Sequence, residues 1–230
     1  MSDSIHPYRI EIPDTDIADL KRRLESTRWP EREAVDDWSQ GTPLAYLQDV
    51  CATWAKQYDW RATEARLNRL PQFVTAIDGV DIHFVHLRSK HEPALPLVMT
   101  HGWPGSIVEF LKVIEPLVDP TAHGGTTQDA FHLVLPTLPG YGFSGKPART
   151  GWGVERIARA WSELMRRLGY ASYVAQGGDW GASVTTWIGN QDPAHCRGIH
   201  VTMPIVAVDK ATLADLTPQE QSAIEGRKYY

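Results

Sequence analysis

Cysteine is scarce in this 230-residue sequence, and no apolar stretch approaches the roughly 20 residues that a membrane-spanning helix needs. Cys51 and Cys196 lie far apart and match no CxxC spacing, which argues against a disulfide framework or a cysteine-rich metal site. The N-terminus also lacks the cationic start and apolar run of a signal peptide. We therefore expect a cytoplasmic protein with two reduced, packed thiols and no membrane segment.

Basic charge is not in excess either, because the formal net charge is −5 and no run of Lys or Arg occurs. A basic surface is what attracts phosphate backbones and anionic lipid headgroups. We therefore expect neither nucleic acid nor a membrane surface as a partner.

Spaced sets of metal ligands are missing as well. His83 and His86 lie three residues apart in a predicted strand and so point to opposite faces, and His101 has no second ligand at a suitable spacing. The stretch GYGFSGKP, residues 140–147, fits the spacing of a phosphate loop but has Pro147 where that loop needs Ser or Thr. We therefore predict neither a metal nor an organic cofactor.

What the sequence does contain is the composition of a folded soluble chain, with 42% hydrophobic and 22% charged residues. From residue 10 to about residue 70 apolar residues recur at helical spacing, as in DTDIADLKRRLESTRW and TPLAYLQDVCATWAKQYDW. We expect these leading helices to pack on the rest of the molecule, because their Leu and Trp stripe invites aggregation when exposed. After Pro71 the period changes, and Asp78 followed by Gly79 predicts a β-hairpin.

From Leu95 onwards short apolar runs alternate with longer helical patterns. The predicted strands are LPLVMTH, FHLVLPTL, YVAQGGD and GIHVTM, and the predicted helices are SIVEFLKVIEPL, VERIARAWSELMRRLGY and GASVTTWIGNQDP. This order is typical of an α/β fold, a mostly parallel sheet with helices on both faces. Ligands bind such sheets beyond the carboxyl ends of the strands, where the loops HGWPGS, PGYGFSG and GGDWG lie.

Asp179 stands in the loop GGDWG, where a predicted strand gives way to a helix. Gly177 and Gly181 flank it in the small-x-acid-x-small pattern of a sharp strand-to-helix turn, which projects the central side chain from the sheet edge. A carboxylate there is ionised at neutral pH and needs no base to attack an alkyl carbon. Asp179 is therefore the predicted nucleophile, although a lone Asp at a helix start more often only caps the helix.

Attack by a carboxylate gives an ester, and hydrolysis of that ester requires an oxyanion hole beside the nucleophile. In HGWPGS, Gly102 and Pro104 bend the chain so that the amide of Trp103 can point into the cleft, and Trp180 directly follows the nucleophile. We predict that the amides of Trp103 and Trp180 bind the oxyanion, and that the tight turn takes a cis Trp103–Pro104 bond. His101 is expected to be a hydrogen-bonding structural histidine.

The motifs HGWPGSIVEF, PTLPGYGFSGKP and GGDWGASV resemble those of epoxide hydrolases of the microsomal type, which have the α/β-hydrolase fold. The segments YRIEIPDTDIADLKRRLESTRWPE and WRATEARLNRLPQF are similar to the helical N-terminal extension of this branch, and the resemblance covers about residues 5–230. It implies that an epoxide is converted to a vicinal diol through an ester on Asp179, with oxyanion-hole amides from Trp103 and Trp180. Trp103, Phe143 and Trp180 are the expected substrate-binding residues.

The resemblance also implies a domain organisation. Residues 1–94 form a helical N-terminal extension that leads into the first strands, residues 95–208 the first part of the hydrolase core, and residues 209–230 the start of the cap domain. The family places its catalytic acid, its histidine and two cap tyrosines in later segments. His195 and His200 are the histidines that follow the nucleophile, and neither suits the role of base. We therefore expect the chain to be incomplete for turnover and to need a second polypeptide carrying the C-terminal half; a homodimer is also possible.

Two other functions remain open at this stage. A haloalkane dehalogenase shares the Asp nucleophile and often has a Trp after it, but it lacks the long helical leader before Pro71. A non-catalytic ligand-binding or interaction subunit is favoured if these residues occur alone and fold without a missing half. Halide release would identify the first, and a chain that neither reacts with epoxides nor has a co-purifying polypeptide would identify the second.

Overall fold

The computed structural model describes residues 4–204, 211, 213 and 215–227. The strands are β1 (His6–Pro7), β2 (Gln72–Ile77), β3 (Val80–Leu87), β4 (Leu95–Thr100), β5 (Phe131–Pro136), β6 (Tyr173–Gly177) and β7 (Cys196–Val201). The helices are α1 (Asp14–Glu25), α2 (Leu44–Lys56), α3 (Trp60–Leu67), α4 (Ile114–Val118), α5 (Val154–Arg167), α6 (Trp180–Gln191) and α7 (Pro218–Arg227). Short 3₁₀ turns cover Ile107–Phe110, Pro120–His123 and Thr127–Asp129.

All seven strands belong to one mixed sheet with the order β1-β2-β3-β5-β4-β6-β7. The neighbouring strands β1–β2, β2–β3 and β3–β5 are antiparallel. The neighbouring strands β5–β4, β4–β6 and β6–β7 are parallel. The predicted hairpin joins β2 to β3, and Asp78 and Gly79 at its tip have φ angles of +51° and +81°, as a two-residue primed turn requires. The predicted α/β architecture is thus confirmed.

Two apolar clusters lie on opposite faces of the sheet. On one face α5 and α6 cover the strands with fully buried side chains, including Trp161, Leu164 and Ile188. On the other face Ile107, Phe110 and Ile114 pack over β4 and β5. The stretch SIVEFLKVIEPL is therefore buried as expected, but as a 3₁₀ turn followed by the short α4, not as one helix. Inside a helix a proline lacks the amide that would donate, and its ring clashes with the carbonyl four residues back. Pro116 is tolerated because it lies in the first turn of α4, so the helix cannot extend back through residues 107–113.

The leading segment is tied to the sheet at its two ends. Ile10 is 1% exposed, and its backbone N–H and C=O exchange hydrogen bonds of 2.9 Å with the side-chain amide of Asn68. Strand β1 pairs with β2, and the ring of Tyr8 lies 5.0 Å from the ring of His83 in β3. These contacts hold the start and the end of the helical leader against the first antiparallel strands.

The apolar stripe of the leading helices is not buried as the sequence predicts. Helices α1 and α2 pack against each other, yet Ala55 is the one buried residue in the two of them. Leu20 and Trp54 remain 38% and 45% exposed. The reason is geometric, because each helix covers only part of the other's apolar stripe and no third layer of the described residues covers the remainder.

Candidate active site

The register of β4 and β6 places the two predicted catalytic loops side by side. These strands are parallel neighbours, and Thr100, the last residue of β4, lies opposite Gly177, the last residue of β6. Because both strands end at the same sheet edge, the loop that begins at His101 and the turn that contains Asp179 emerge next to each other.

The turn at Asp179 is strained and closely packed. Asp179 has φ +51° and ψ −126°, a backbone conformation that non-glycine residues rarely adopt. A Cβ at Gly177 would lie 2.1 Å from the carbonyl oxygen of Gly181, and a Cβ at Gly181 would lie 2.0 Å from that of Thr100. Glycine is therefore required at both positions for the strand and the helix to approach this closely.

The carboxylate of Asp179 is directed at backbone amides of the neighbouring loop. The Trp103 N–H donates to its Oδ1 at 2.7 Å. Hydrogen bonds from the Trp103 and Trp180 amides lower the pKa of Asp179 below its usual value, and partial burial opposes them only weakly. The one α6 amide that acts on the carboxylate is that of Trp180, and the side chain makes no N-capping hydrogen bond, so the interpretation as a simple helix cap does not account for its contact with the Trp103 amide.

His101 has a structural role, as the sequence analysis expects. The side chain is fully buried, its Nδ1–H donates to the Gly102 carbonyl at 3.0 Å, and its Nε2 accepts from the Leu138 N–H at 3.1 Å. Burial lowers its pKa, which favours the neutral imidazole that these two hydrogen bonds require. His101 thus ties the loop after β4 to the loop after β5, and the Trp103–Pro104 bond that follows is cis.

The structure brings together two of the three predicted substrate-binding side chains. Trp103 and Trp180 are 62% and 53% exposed at the sheet edge. Phe143 is not part of this group. Its ring packs 5.3 Å from that of His83 and 5.9 Å from that of Tyr8, in the contact between β3 and the leading segment. The Phe143 ring therefore packs on the antiparallel part of the sheet, and its role in substrate binding stays a prediction.

Neither histidine that follows Asp179 reaches it as a base. Nδ1 of His195 lies 2.5 Å from Oδ1 of Asp192, just beyond the far end of α6, a 12-residue helix about 18 Å long. His200 lies within β7, opposite Gln176 of β6, and not in a loop at the carboxyl edge. In the described part of the chain, neither histidine forms a hydrogen bond with Asp179.

The described part of the chain contains no group of three or more His, Cys, Asp or Glu side chains positioned to hold a metal ion. Among residues 4–204, 211, 213 and 215–227, no helix has the length and apolar character needed to cross a bilayer.

Sequence reasoning missed Trp152. With Tyr141 and Trp180 it lines a cavity of about 260 Å³ at the same sheet edge. The sequence signal that could have identified Trp152 is its position between Gly151 and Gly153, immediately before α5. These residues lie in the loop that follows β5 at the carboxyl edge of the sheet.

Known proteins resemble this chain in sequence and in fold. The family profile "Epoxide hydrolase N terminus" matches residues 5–110, and the "alpha/beta hydrolase fold" profile matches residues 96–223. A Stigmatella aurantiaca protein provisionally assigned as an epoxide hydrolase is 58% identical over 220 residues, which are 96% of this chain and 50% of that protein. Epoxide hydrolase 1 of Oryctolagus cuniculus is 37% identical over 92% of this chain and 47% of its own length.

A solved structure is also similar to this chain in fold and sequence. The epoxide hydrolase of Aspergillus niger superposes with a TM-score of 0.81 and 34% identity, covering 96% of this chain and 58% of that one. The chain thus spans about half the length of the curated relatives it matches. From its sequence motifs, its sheet and these relatives, the chain belongs to the epoxide hydrolase family of the α/β-hydrolase fold.

Proposed function

We propose that this chain carries the nucleophile of an epoxide hydrolase, an enzyme that converts an epoxide and water into a vicinal diol. The observation that supports the proposal most strongly is the 2.7 Å hydrogen bond from the Trp103 amide to Oδ1 of Asp179. A carboxylate held in this way has one oxygen in an amide-lined site and a second oxygen available for attack. We assign the attack to Oδ2 of Asp179.

In the first step, Oδ2 of Asp179 attacks one epoxide carbon, and an ester bond forms as the carbon–oxygen bond of the ring breaks. The bonding pair leaves with the ring oxygen, which takes a proton from an acid. This attack requires an ionised carboxylate. The amides of Trp103 and Trp180, which lower the pKa of Asp179, favour that form at neutral pH.

In the second step, water attacks the carbonyl carbon of the ester, and negative charge develops on Oδ1 of Asp179. The Trp103 amide already donates to this atom, and the Trp180 amide acts on the same carboxylate. One preorganised donor of this kind is worth about 10²–10³ in rate. The intermediate then expels the diol, which restores Asp179 with one oxygen taken from water.

Activation of that water requires a general base, in this fold a histidine oriented by an acid. Because His195 and His200 do not fit this role, we propose that turnover needs a cap, an acid and a histidine from outside residues 1–230, as a second polypeptide would supply. The described residues offer a place for it, since β7 pairs there with β6 alone and its outer edge is available for another strand. A homodimer is a second proposed assembly, and the proposed substrate is a small-molecule epoxide.

The proposal includes the division of the chain into an extension (1–94), a first part of the hydrolase core (95–208) and the start of a cap (209–230). Of the last segment the structure describes residues 211, 213 and 215–227, which include α7. Thr217 and Glu220 form a reciprocal cap at the start of that helix, with the Thr217 N–H donating to Oε2 of Glu220 at 2.8 Å.

The test is to incubate the 230-residue chain with styrene oxide and to follow its intact mass. We expect one equivalent of adduct that persists, because general-base assistance supplies about 10²–10⁴ in rate and this chain does not provide it. Asp179→Asn should eliminate the adduct. Asp192→Asn, at the opposite end of α6, is the matched control and should retain it.

Three results would contradict the proposal. An adduct that forms equally on the Asp179→Asn variant would place the reacting group elsewhere. Sustained diol production by the chain alone would show that the base has been misplaced, and His195 and His200 would then be the first residues to mutate. Halide release from a chloroalkane, without reaction of the epoxide, would indicate a dehalogenase.

A further inference from the structure

Gly102 precedes Trp103 in the loop of residues 101–105, which we call the oxyanion loop. A Cβ at Gly102 would lie 2.4 Å from Cβ of Asp179, so no larger residue fits beside the proposed nucleophile. Glycine loses more conformational freedom on folding than any other residue, because it has no Cβ to restrict its backbone. Contacts from other residues must therefore fix the backbone of Gly102, on which the direction of the Trp103 N–H depends.

The peptide plane that follows Gly102 is held by His101. Nδ1–H of His101 donates to the Gly102 carbonyl at 3.0 Å. The Trp103 N–H belongs to the same peptide and donates to Oδ1 of Asp179 at 2.7 Å. The carbonyl and the N–H point in opposite directions, because a trans peptide is planar. His101 therefore restrains the rotation of this plane about the Cα–C bond of Gly102.

The peptide plane that precedes Gly102 faces the carboxylate of Glu109. The Gly102 N–H donates to Oε1 of Glu109 at 3.5 Å, a long hydrogen bond to a charged acceptor. A Cβ at Gly105 would lie 2.5 Å from the same oxygen. The carboxylate therefore occupies the concave side of the oxyanion loop, where the absence of a side chain at Gly105 leaves room for it. From there it restrains the N–Cα bond of Gly102.

A 3₁₀ turn that directly follows the loop returns the side chain of Glu109 to it. Oγ of Ser106 accepts from the Val108 N–H at 3.2 Å, and the Ser106 carbonyl accepts from the Glu109 N–H at 3.2 Å. Ile107 and Phe110, on either side, are buried in the apolar cluster over β4 and β5. The turn is therefore anchored in the core, and the position of Glu109 does not depend on the loop that it contacts.

We propose that Glu109 is a positioning residue, which fixes the peptide plane before Gly102 and so holds the Trp103 amide on the nucleophile. The inference rests on the proposed function, because it gives this amide its role as an oxyanion donor. Glu109 acts through the loop and does not touch the reacting atoms. Its hydrogen bond and its charge have opposite effects, since a well-placed amide favours the ionised form of Asp179 and a second carboxylate disfavours it. Substitutions can separate the two effects.

The experiment measures hydrogen exchange of the Trp103 amide by NMR and the rate of adduct formation with styrene oxide. Glu109→Ala removes the acceptor and should speed exchange about fivefold or more, as the loss of about 1 kcal/mol implies. It should slow adduct formation about tenfold or more, because the carboxylate is no longer held in place. Glu109→Gln keeps an acceptor of the same length without the charge, and should restore exchange and reaction to within about twofold of the natural chain.

Two further variants complete the set. Glu109→Asp keeps the charge but is one methylene shorter, so it should resemble Glu109→Ala while changing the surface less. Glu115→Ala is the matched control, at a carboxylate of α4 that is 79% exposed, and should change neither measurement.

The outcomes separate the two proposals. Unchanged values in Glu109→Ala and Glu109→Asp would overturn the positioning role and leave the nucleophile intact. Equal changes in Glu109→Ala and Glu109→Gln, with natural values in Glu109→Asp, would show that only the charge acts, which also overturns it. If the natural chain does not react with styrene oxide, the proposed function fails, and exchange of the Trp103 amide alone decides. Faster exchange in Glu109→Asp that Glu109→Gln does not share would then support the positioning role, and equal exchange would overturn it.

Discussion

The turn at Asp179 and the pair of leading helices are held in place in opposite ways. At the turn, backbone atoms approach so closely that a Cβ at Gly181 would lie 2.0 Å from the Thr100 carbonyl oxygen. In α1 and α2 one residue is buried, and large apolar side chains such as Leu20 and Trp54 remain partly exposed. The turn is therefore fixed by close packing, whereas the leading helices are fixed at their ends by polar contacts.

Those polar contacts are individually weak. Arg61 of α3 donates to the Ile12 carbonyl at 2.8 Å and pairs with Asp14 and Glu64 on the protein surface. Exposed ion pairs of this kind contribute about 0–1 kcal/mol. The turn at Asp179 therefore depends on the size of single residues, whereas the leading helices depend on many small contributions and should tolerate change.

The largest stability effect is expected at the turn itself. Gly181→Ala should lower the free energy of unfolding by about 3 kcal/mol or more, because the new Cβ overlaps the Thr100 carbonyl and the backbone must move. Gly198→Ala is the matched control in β7, where a Cβ would meet Val174 at an ordinary 3.9 Å. Urea unfolding of both variants measures the difference. Equal stabilities would show that strand β4 and helix α6 are not in close contact.

The stability of the fold should also depend on pH through His83, which lies in β3 beside Tyr8 of the leading segment. Burial lowers the pKa of His83 from 6.5 to about 4, and its Nε2–H donates to Oε1 of Gln72 while Nδ1 accepts from the Thr137 hydroxyl. Below pH 6.5 the unfolded chain binds a proton that folded His83 does not bind until about pH 4. The stability due to neutral His83 is therefore present above pH 6.5, and about 3 kcal/mol of it is lost by pH 4.

His83→Gln isolates this contribution, because Gln does not titrate and can still form hydrogen bonds. The measurement is the free energy of unfolding of both proteins from pH 7.5 to pH 4. The variant should lose less stability over this range, with a remaining loss from His86, whose pKa burial also lowers to about 4. Parallel pH profiles for the two proteins would contradict the assignment to His83.

A matched pair of leucines compares the effect of burial in the two regions, and its Leu20 member has the smallest expected effect. Leu164→Ala in α5 removes a fully buried side chain and should cost about 2–5 kcal/mol. Leu20→Ala in α1 removes the same atoms from a partly exposed site and should cost less than about 1 kcal/mol. Chemical denaturation measures both. A cost at Leu20 that equals the cost at Leu164 would mean that α1 is covered in solution.

Much of the site could be predicted from the sequence, because small residues at fixed spacing mark places where backbones meet. Gly177 and Gly181 around Asp179 predicted the turn, and HGWPGS predicted the loop whose Trp103 amide contacts the carboxylate. The continuous apolar runs predicted the parallel strands for a different reason. A strand that is buried on both faces is apolar throughout.

Other features depend on partners that are distant in the sequence, and local patterns do not contain that information. Phe143 packs against Tyr8, which lies more than 130 residues earlier in the chain. Trp152 is held by Arg156, whose own partner Asp78 lies in a distant hairpin. The helical period of the leader predicted α1 and α2 but could not show how little of the apolar stripe their packing would bury.

We propose that the carboxylate of Asp179, held by the amides of Trp103 and Trp180, is the group that reacts with epoxides. Peptide mapping of the chain after reaction with styrene oxide tests it most directly, since an ester adds the mass of the epoxide to a single residue. We predict that fragment spectra place this mass on Asp179 and that mild alkaline hydrolysis removes it as the diol. An adduct on a histidine, a cysteine or another carboxylate, with Asp179 unmodified, would contradict the account.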